Sequence, residues 1–367
     1  MQQTYDVAAY IWPAYHDDPR ARIFFPHGMG EWERVIDARP KVDGHQQPRK
    51  PLWGYQNEAD PRVMEMQIDA AADYGVNIFI YDWYWYDRRP FLEESLNKGY
   101  LKARNNHRVK FYLMWANHDA PTIWDIRTSH DRRVVWDAAL DREEFERIGN
   151  RLISKYFTQP SYYRIESRPV FSIYDLPTLM RGLGGVDGTR AALEWFRDRA
   201  VASGLDGLHL QAVLRHALPH VEVTGITGDG ASIQNHMVEQ LGFDSVTHYQ
   251  WCHVVEPKGE YQPYGEQAVA TWNGIDEEFN IPYFPHVSVG WDNNPRYVAY
   301  QESNITGNTP DRFENFLRKA QKFVDEHPNQ APMVTINSWN EWTEASYLQP
   351  DTDHGYAYLD AVKRVFG

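Results

Sequence analysis

Eight short runs rich in β-branched and aromatic residues recur along the chain, and helix-like stretches separate most of them. That alternation constrains the fold more than any other feature. The runs are Val7 to Trp12, Val76 to Tyr84, Val109 to Trp115, Pro169 to Tyr174, Leu208 to Leu214, Ser245 to Trp251, Tyr283 to Trp291 and Met333 to Trp339. Between the first two, Val63, Met66, Gln67, Ala70, Ala71 and Tyr74 fall at helical spacing, and Gly75 ends the pattern. The same spacing predicts helices over Glu143 to Phe157, Thr189 to Ser203 and Pro310 to Glu326, the last with Thr309 as N-cap and Pro310 at the first helical position. Strands that alternate with helices run parallel, and eight of them predict a closed (β/α)8 TIM barrel. No GxGxxG or GxxxxGKS sequence follows any run, which argues against an open nucleotide-binding sheet.

The 367 residues read as one barrel domain spanning 1–367, with long insertions after the first and sixth strands. These insertions, Tyr15 to Ala59 and His253 to Ile281, are rich in Pro, Gly and polar residues and are expected to wall a cleft. Aromatic residues make up 14% of the chain, with 14 Trp and 23 Tyr, more than a barrel core needs, so part of them is expected in that cleft. A net charge of -14 opposes binding to nucleic acid. No run approaches the roughly 18 apolar residues of a membrane span. With Cys252 alone, no intrachain disulfide can form. An apolar strand begins by Val7, leaving no room for a secretion signal after Met1. The expectation is a soluble protein, cytoplasmic unless an export signal has been removed.

Active sites of such barrels lie at the C-terminal ends of the strands. Here those ends carry polar aromatics, amides and carboxylates. The candidate substrate-binding residues, in chain order, are Tyr15, His16, Trp53, Tyr81, Asp82, Trp83, Trp115, Asn117, His118, Tyr174, Arg215, His248, Tyr249, Trp291, Asp292, Asn293, Trp339 and Asn340. Indole faces cover the apolar side of a sugar ring while amides and carboxylates take its hydroxyls, so the expected partner is an oligosaccharide or polysaccharide. Glu341 and Glu344, flanked by Trp339 and Trp342, are the catalytic candidates. Glycosidic cleavage needs one carboxyl that gives a proton and one carboxylate that takes one, and burial beside a second acid holds the first protonated.

Asp82, Asp175 and Asp292 stand at other strand ends and offer further carboxylates. In the competing reading of Glu344 it caps the following helix. His16, His118, His216 and His248 could converge on a metal, but no HxH or HExxH spacing supports this, and no metal or other cofactor is expected. Asp351-Thr352-Asp353 has the spacing of a nucleotide-sugar metal motif but follows the Tyr347-Leu348-Gln349-Pro350 turn, as an ordinary loop would.

Several blocks together resemble the WbsX-like group, which is related to glycoside hydrolase family 99, the endo-α-mannosidases and endo-α-mannanases. The blocks are Ala9-Tyr10 through His16, Trp32-Glu33-Arg34-Val35, Gly44-His45-Gln46 with Pro48, Asp60-Pro61, Tyr81-Asp82-Trp83-Tyr84-Trp85, Trp115-Ala116-Asn117, Gly290-Trp291-Asp292-Asn293-Asn294-Pro295-Arg296, and Asn340-Glu341-Trp342 with Tyr347-Leu348-Gln349-Pro350-Asp351. The resemblance covers nearly the whole chain. It implies a (β/α)8 barrel that cleaves an α-linked glycan with retention, mannose-configured in the related enzymes. Their Glu-Trp-His-Glu motif reads Glu341-Trp342-Thr343-Glu344 here, which implies Glu341 as the base for the sugar 2-hydroxyl and Glu344 as the general acid/base. Thr343 replaces the motif histidine, and His118 stands where WbsX-like sequences usually carry glutamate. The alternatives are a glycosyltransferase of polysaccharide biosynthesis, the group's first label, or a carbohydrate-binding barrel without activity.

Overall fold

The computed structural model describes residues 4–215 and 237–367. Its main sheet contains eight parallel strands, here numbered β1 (Asp6–Ile11), β2 (Ile78–Tyr86), β3 (Lys110–Trp115), β4 (Arg168–Ile173), β5 (His209–Leu214), β6 (Ser245–His248), β7 (His286–Ser288) and β8 (Met333–Asn337). In space they run β6-β5-β4-β3-β2-β1-β8-β7. The two ends of that order meet through a parallel bridge between Val246 and Tyr283, with Val246 N–H donating to Pro282 O at 2.9 Å and Phe284 N–H to Val246 O at 2.9 Å. The barrel is therefore closed, as the eight-run pattern predicts.

The helices include α1 (Trp32–Asp37), α2 (Pro61–Asp73), α3 (Arg142–Leu152), α4 (Leu176–Leu183), α5 (Gly185–Ala202), α6 (Tyr261–Ala270), α7 (Trp272–Glu278), α8 (Pro310–Glu326) and α9 (Ala357–Phe366). Their sequence signals act as expected. The Thr309 hydroxyl accepts from Arg312 N–H at the start of α8, and Phe313, Phe316, Leu317, Ala320, Phe323 and Val324 are buried along one face. Burying each large side chain of such a face contributes about 1.5–3 kcal/mol. Three local differences from the pattern have physical causes. The helix expected from Thr189 begins earlier, at Gly185, and Gly184, at φ +82°, separates it from the preceding α4. The stretch after β6 carries α6 and α7. A third excursion follows β3, where Ala120–Pro121 pairs with Val134–Trp136 and holds Trp124 over the barrel.

Side chains alternate between the inside of a barrel and its helical shell. Contacts across the interior identify the inner set. Tyr10 on β1 packs on Tyr249 beyond β6, the Tyr112 hydroxyl on β3 reaches Gln211 on β5 at 3.1 Å, and Thr247 on β6 meets Thr335 on β8 at 2.9 Å. His286 also bonds Thr335 at 2.9 Å, so hydrogen bonds link polar residues of neighbouring strands within the interior. By the same parity Asp82 and Tyr84 face inward while Tyr81 and Trp83 face the shell.

Candidate active site

Beyond β8 the chain does not enter a helix. Asn340–Glu341 pairs with Ser346–Tyr347 as a short hairpin whose turn, Trp342–Glu344, is a single 3-10 turn. Glu344 therefore caps no helix. The hairpin hangs both glutamates over the barrel, and it is anchored from behind. The Trp342 ring stacks on Tyr347 at 3.8 Å and donates to Gln349, and its backbone N–H donates to the Tyr15 hydroxyl at 3.0 Å. Next to it Gly290 is required, since a Cβ there would lie 2.5 Å from Ala345 O.

One guanidinium organises the two acids. Arg296, in the loop after β7, donates through Nη1 to Glu344 at 2.5 Å, through Nη2 to Glu341 at 3.2 Å and through Nε to Glu31 at 3.0 Å. Glu31 is fully buried and also accepts the indole N–H of Trp12. It reaches this position because Gly30 turns the chain at φ +61° against Ala14 O, where a Cβ would come within 1.9 Å. Three carboxylates thus face one cation, a fork whose planar geometry a lysine could not reproduce.

The charges settle accordingly. Burial, with the charge of Glu341 behind it, holds the Glu344 carboxyl well above the usual carboxylate range, although Arg296 pulls it down. Burial and Glu341 likewise push Asp82 well up. For Arg296 the cost of burial is outweighed by Glu31, Glu344 and Glu341, which keep it firmly charged. The Tyr249 hydroxyl joins the group, 2.7 Å from Glu341 Oε2 and 3.0 Å from Asp82 Oδ2.

These residues form one side of a cleft of about 320 Å³, near the small end of ligand pockets, roughly 300–1,000 Å³. Trp12, Tyr84, Met114, Ala116, Pro121, Ile123 and Trp124 contribute its apolar and aromatic surface. The opposite wall holds His118, Tyr174, Asp175 and Arg215. Arg215 donates to Asp175 Oδ2 at 2.6 Å and lies over the Tyr174 ring at 4.5 Å. Asp175 also caps α4 by accepting from Thr178 N–H. His118 bonds Asp119 O through Nδ1 at 2.9 Å, and burial lowers its pKa, so its ring stays neutral.

Of the residues singled out from the sequence, Asp82, His118, Tyr174, Arg215, Tyr249, Glu341 and Glu344 meet in this cleft. The others do not line it, and strand parity accounts for Tyr81, Trp83, Trp115 and His248. Tyr81 packs on Tyr100 and Phe111, Trp83 donates to Glu93, Trp115 packs on Phe145 of α3, His248 bonds the Tyr283 hydroxyl at 3.0 Å, and Trp339 donates to Gln67 of α2 at 2.8 Å. All of these sit between sheet and shell.

A second group has structural duties near the strand ends. Asn117 brackets Asp175, giving one backbone hydrogen bond and taking another. Asn340 does the same for Trp12 and rests on Glu58, a buried carboxyl pushed up to about 7 by burial against the bonds from Asn340, Gln67 and Gln349. Asp292 accepts from His45 at 2.9 Å, Gln47 at 2.7 Å and Asn294 at 2.8 Å, thereby shaping the loop that delivers Arg296; Asn293 precedes that turn. Tyr15 supports Trp342, Trp53 donates to Tyr356, Trp291 donates to Ser303, and His16 is buried and kept neutral by that burial. His216 lies outside the described residues.

The structure brings Asp175, one of the further strand-end carboxylates, into the same cleft and adds Trp12, Tyr84, Trp124, Arg296 and Glu31 to the site. For Arg296 the available signal was its place at the end of the Gly290-to-Arg296 block. No signal marks Glu31. Among the described residues no group of three or more His, Cys, Asp or Glu side chains could hold a metal ion. Asp351 is turned inward, accepting from the Tyr347 hydroxyl and from Asp353 N–H, so the Asp351-Thr352-Asp353 stretch is a structural turn. No helix among the described residues is long and apolar enough to cross a membrane.

A family model described as "Glycosyltransferase WbsX" matches residues 7–362. The chain is 28% identical over 360 residues to the uncharacterized protein WxcX from two strains of Xanthomonas campestris pv. campestris. That alignment covers 98% of this chain and 49% of WxcX, so the chain spans about half the length of these curated relatives. Among solved structures, a family 99 endo-α-mannosidase from Bacteroides thetaiotaomicron superposes with a TM-score of 0.62 at 13% identity, over 98% of this chain and 95% of that one. A structure described as a glycoside hydrolase-like protein gives 0.65 at 15% identity, over 100% and 94%. A β-glucosidase from Thermotoga maritima gives 0.54 at 11% identity, over 100% and 99%. At these identities the likeness is one of fold, the (β/α)8 barrel that glycoside hydrolases also use.

Proposed function

The chain belongs to the WbsX family, and we propose that it is a retaining glycoside hydrolase cleaving an α-linked glycan, with Glu341 and Glu344 in different roles. The observation that carries this reading is the unequal surroundings of the two acids that share Arg296. Glu344 is held neutral by burial and by its neighbour's charge, as a proton donor for a leaving oxygen must be. Glu341 receives Arg296 Nη2, the Tyr249 hydroxyl and Asn337 Nδ2, a set of donors suited to a carboxylate.

In the first step Glu341 takes the proton of the sugar 2-hydroxyl, whose oxygen attacks C1. The bond from C1 to the leaving oxygen breaks, and Glu344 gives that oxygen its proton. In the second step Glu344 takes a proton from water as the water oxygen attacks C1. The three-membered ring opens, and O2 recovers its proton from Glu341. Two inversions at C1 give net retention. The mannose configuration rests on the family resemblance and on what the family 99 neighbour is described as cleaving.

Glu344→Gln tests the assignment. It is expected to lower turnover of natural glycans about a thousandfold while sparing much of the activity on an aryl glycoside whose leaving group needs no proton. Full activity of both Glu344→Gln and Glu341→Gln would overturn the reading. The family's description favours a second reading, transfer from a nucleotide sugar. Tight calorimetric binding of a nucleoside diphosphate, with turnover of its sugar donor, would support that one.

A further inference from the structure

The phenol of Tyr249 has one proton and two acidic neighbours, Glu341 Oε2 at 2.7 Å and Asp82 Oδ2 at 3.0 Å. One proton cannot satisfy two ionised carboxylates at these distances. The guanidinium of Arg296 is directed at Glu31, Glu341 and Glu344 and not at Asp82, so on the Asp82 side it does not relieve the conflict. A second proton must therefore reside on this group. The shorter contact marks the oxygen that accepts from Tyr249, since hydroxyl bonds to a charged acceptor are the shorter kind. Glu341 is that acceptor, and Asp82 remains as the donor.

The surroundings of the two acids agree. Glu341 also receives Arg296 and Asn337. Asp82 is 3% exposed, and its Oδ1 has no hydrogen-bond partner. The titratable groups that act on it or feel its charge are Tyr10 from β1, Tyr84 from β2, Tyr249 beyond β6, and Glu341 and Glu344 from the hairpin.

We propose that Asp82 is a positioning residue held as a neutral carboxylic acid: its O–H donates to the Tyr249 oxygen and so turns the single Tyr249 proton onto Glu341 Oε2. Glu341 Oε1 already takes Arg296, so both oxygens of the base are oriented. Burial pushes the Asp82 carboxyl well above the usual range, with Glu341 adding to it, in keeping with this arrangement. The consequence for turnover rests on Glu341 serving as base, as proposed above; the protonation of Asp82 does not.

Infrared difference spectra of the purified chain at neutral pH, wild type minus Asp82→Asn, read that protonation without substrate. The expected result is loss of a neutral-carboxyl C=O stretch. Loss of a carboxylate stretch instead would overturn the proposal. On a glycan that the wild type cleaves, Asp82→Ala, which keeps no donor, is expected to lower kcat about a hundredfold. Asp82→Asn, whose amide still donates to Tyr249, is expected to recover about tenfold of that loss, with little change in KM. Equal losses in the two variants mean that the charge of Asp82 is used, and the proposal falls. If the wild type cleaves no glycan while the neutral-carboxyl stretch is present, the infrared result still supports the assignment of Asp82, and only the hydrolase reading is lost.

Discussion

The two walls of the cleft solve the same electrostatic problem in opposite ways. On the β4–β5 side Arg215 forms an ion pair with Asp175, and burial lowers the His118 pKa. On the β8 side Glu31, Glu341 and Glu344 share the single guanidinium of Arg296, and Asp82 adds a fourth carboxyl without a cation of its own among the described residues. A balanced wall holds a charge pattern steady across pH. An unbalanced one must take up protons, because burying uncompensated charge is too costly. Under the proposed function the difference would separate recognition from chemistry: the β4–β5 wall would present fixed groups to a ligand, while the β8 wall would hold protons at the positions where bond cleavage uses them.

The comparison is broken most severely by removing Arg296. Arg296→Met leaves three carboxylates without their shared cation, and losing one partner of a buried ion pair costs about 3–5 kcal/mol. The expected outcome is a large drop in Tm together with a thousandfold or greater loss of kcat. Arg296→Lys should recover stability better than activity, since a point charge cannot span the acids that a planar fork reaches. Equal recovery of both would show that only the charge counts.

Arg215→Gln tests the balanced wall and is expected to act mainly on binding. KM should rise about tenfold, as a buried polar contact of about 1–1.5 kcal/mol is lost, while the pH limits of activity stay where they are. A shift of those limits would mean that this wall also stores protons.

Glu31→Gln is the gentlest test. The charge of Glu31 raises the Glu344 pKa, so removing it lowers that pKa. Glu344 then loses its proton at lower pH, and the alkaline limb of kcat moves to lower pH. An unmoved limb would separate Glu31 from the proton balance of the site.

How much of this was legible in the sequence follows from what each inference needs. The barrel needs only local patterns, and the strands, with helices such as α2 and α8, lie close to where spacing and capping put them. Some strand-end residues lie outside the cleft for a reason also visible in the sequence. Asp82 faces the lumen, so Tyr81 and Trp83 must face the shell, and an alternation rule would have moved both out of the cleft, whereas Trp339 shares the inward parity of Thr335 and reaches the shell because the regular strand ends at Asn337. Their aromatic character reflects packing against helices.

Other features depend on contacts that no local pattern encodes. Glu31 meets Arg296 across 265 positions of chain, and Asn340 is occupied with Trp12 and Glu58, 328 and 282 positions away. An amide that looks available for a sugar is used to close the barrel top. The Glu341-Trp342-Thr343-Glu344 motif did point to the site, but its tryptophan serves as the hairpin's anchor, and the cleft takes its indoles from Trp12 and Trp124.

The central claim is that the proton-storing wall performs retaining cleavage of an α-glycan. Digestion of an α-linked glycan library, with the first-formed product followed by NMR before mutarotation, tests it most directly. The account predicts release of a product that keeps the α configuration, lost in Glu341→Gln and Glu344→Gln. A β-configured first product, or α-glycan cleavage that survives both substitutions, would contradict it.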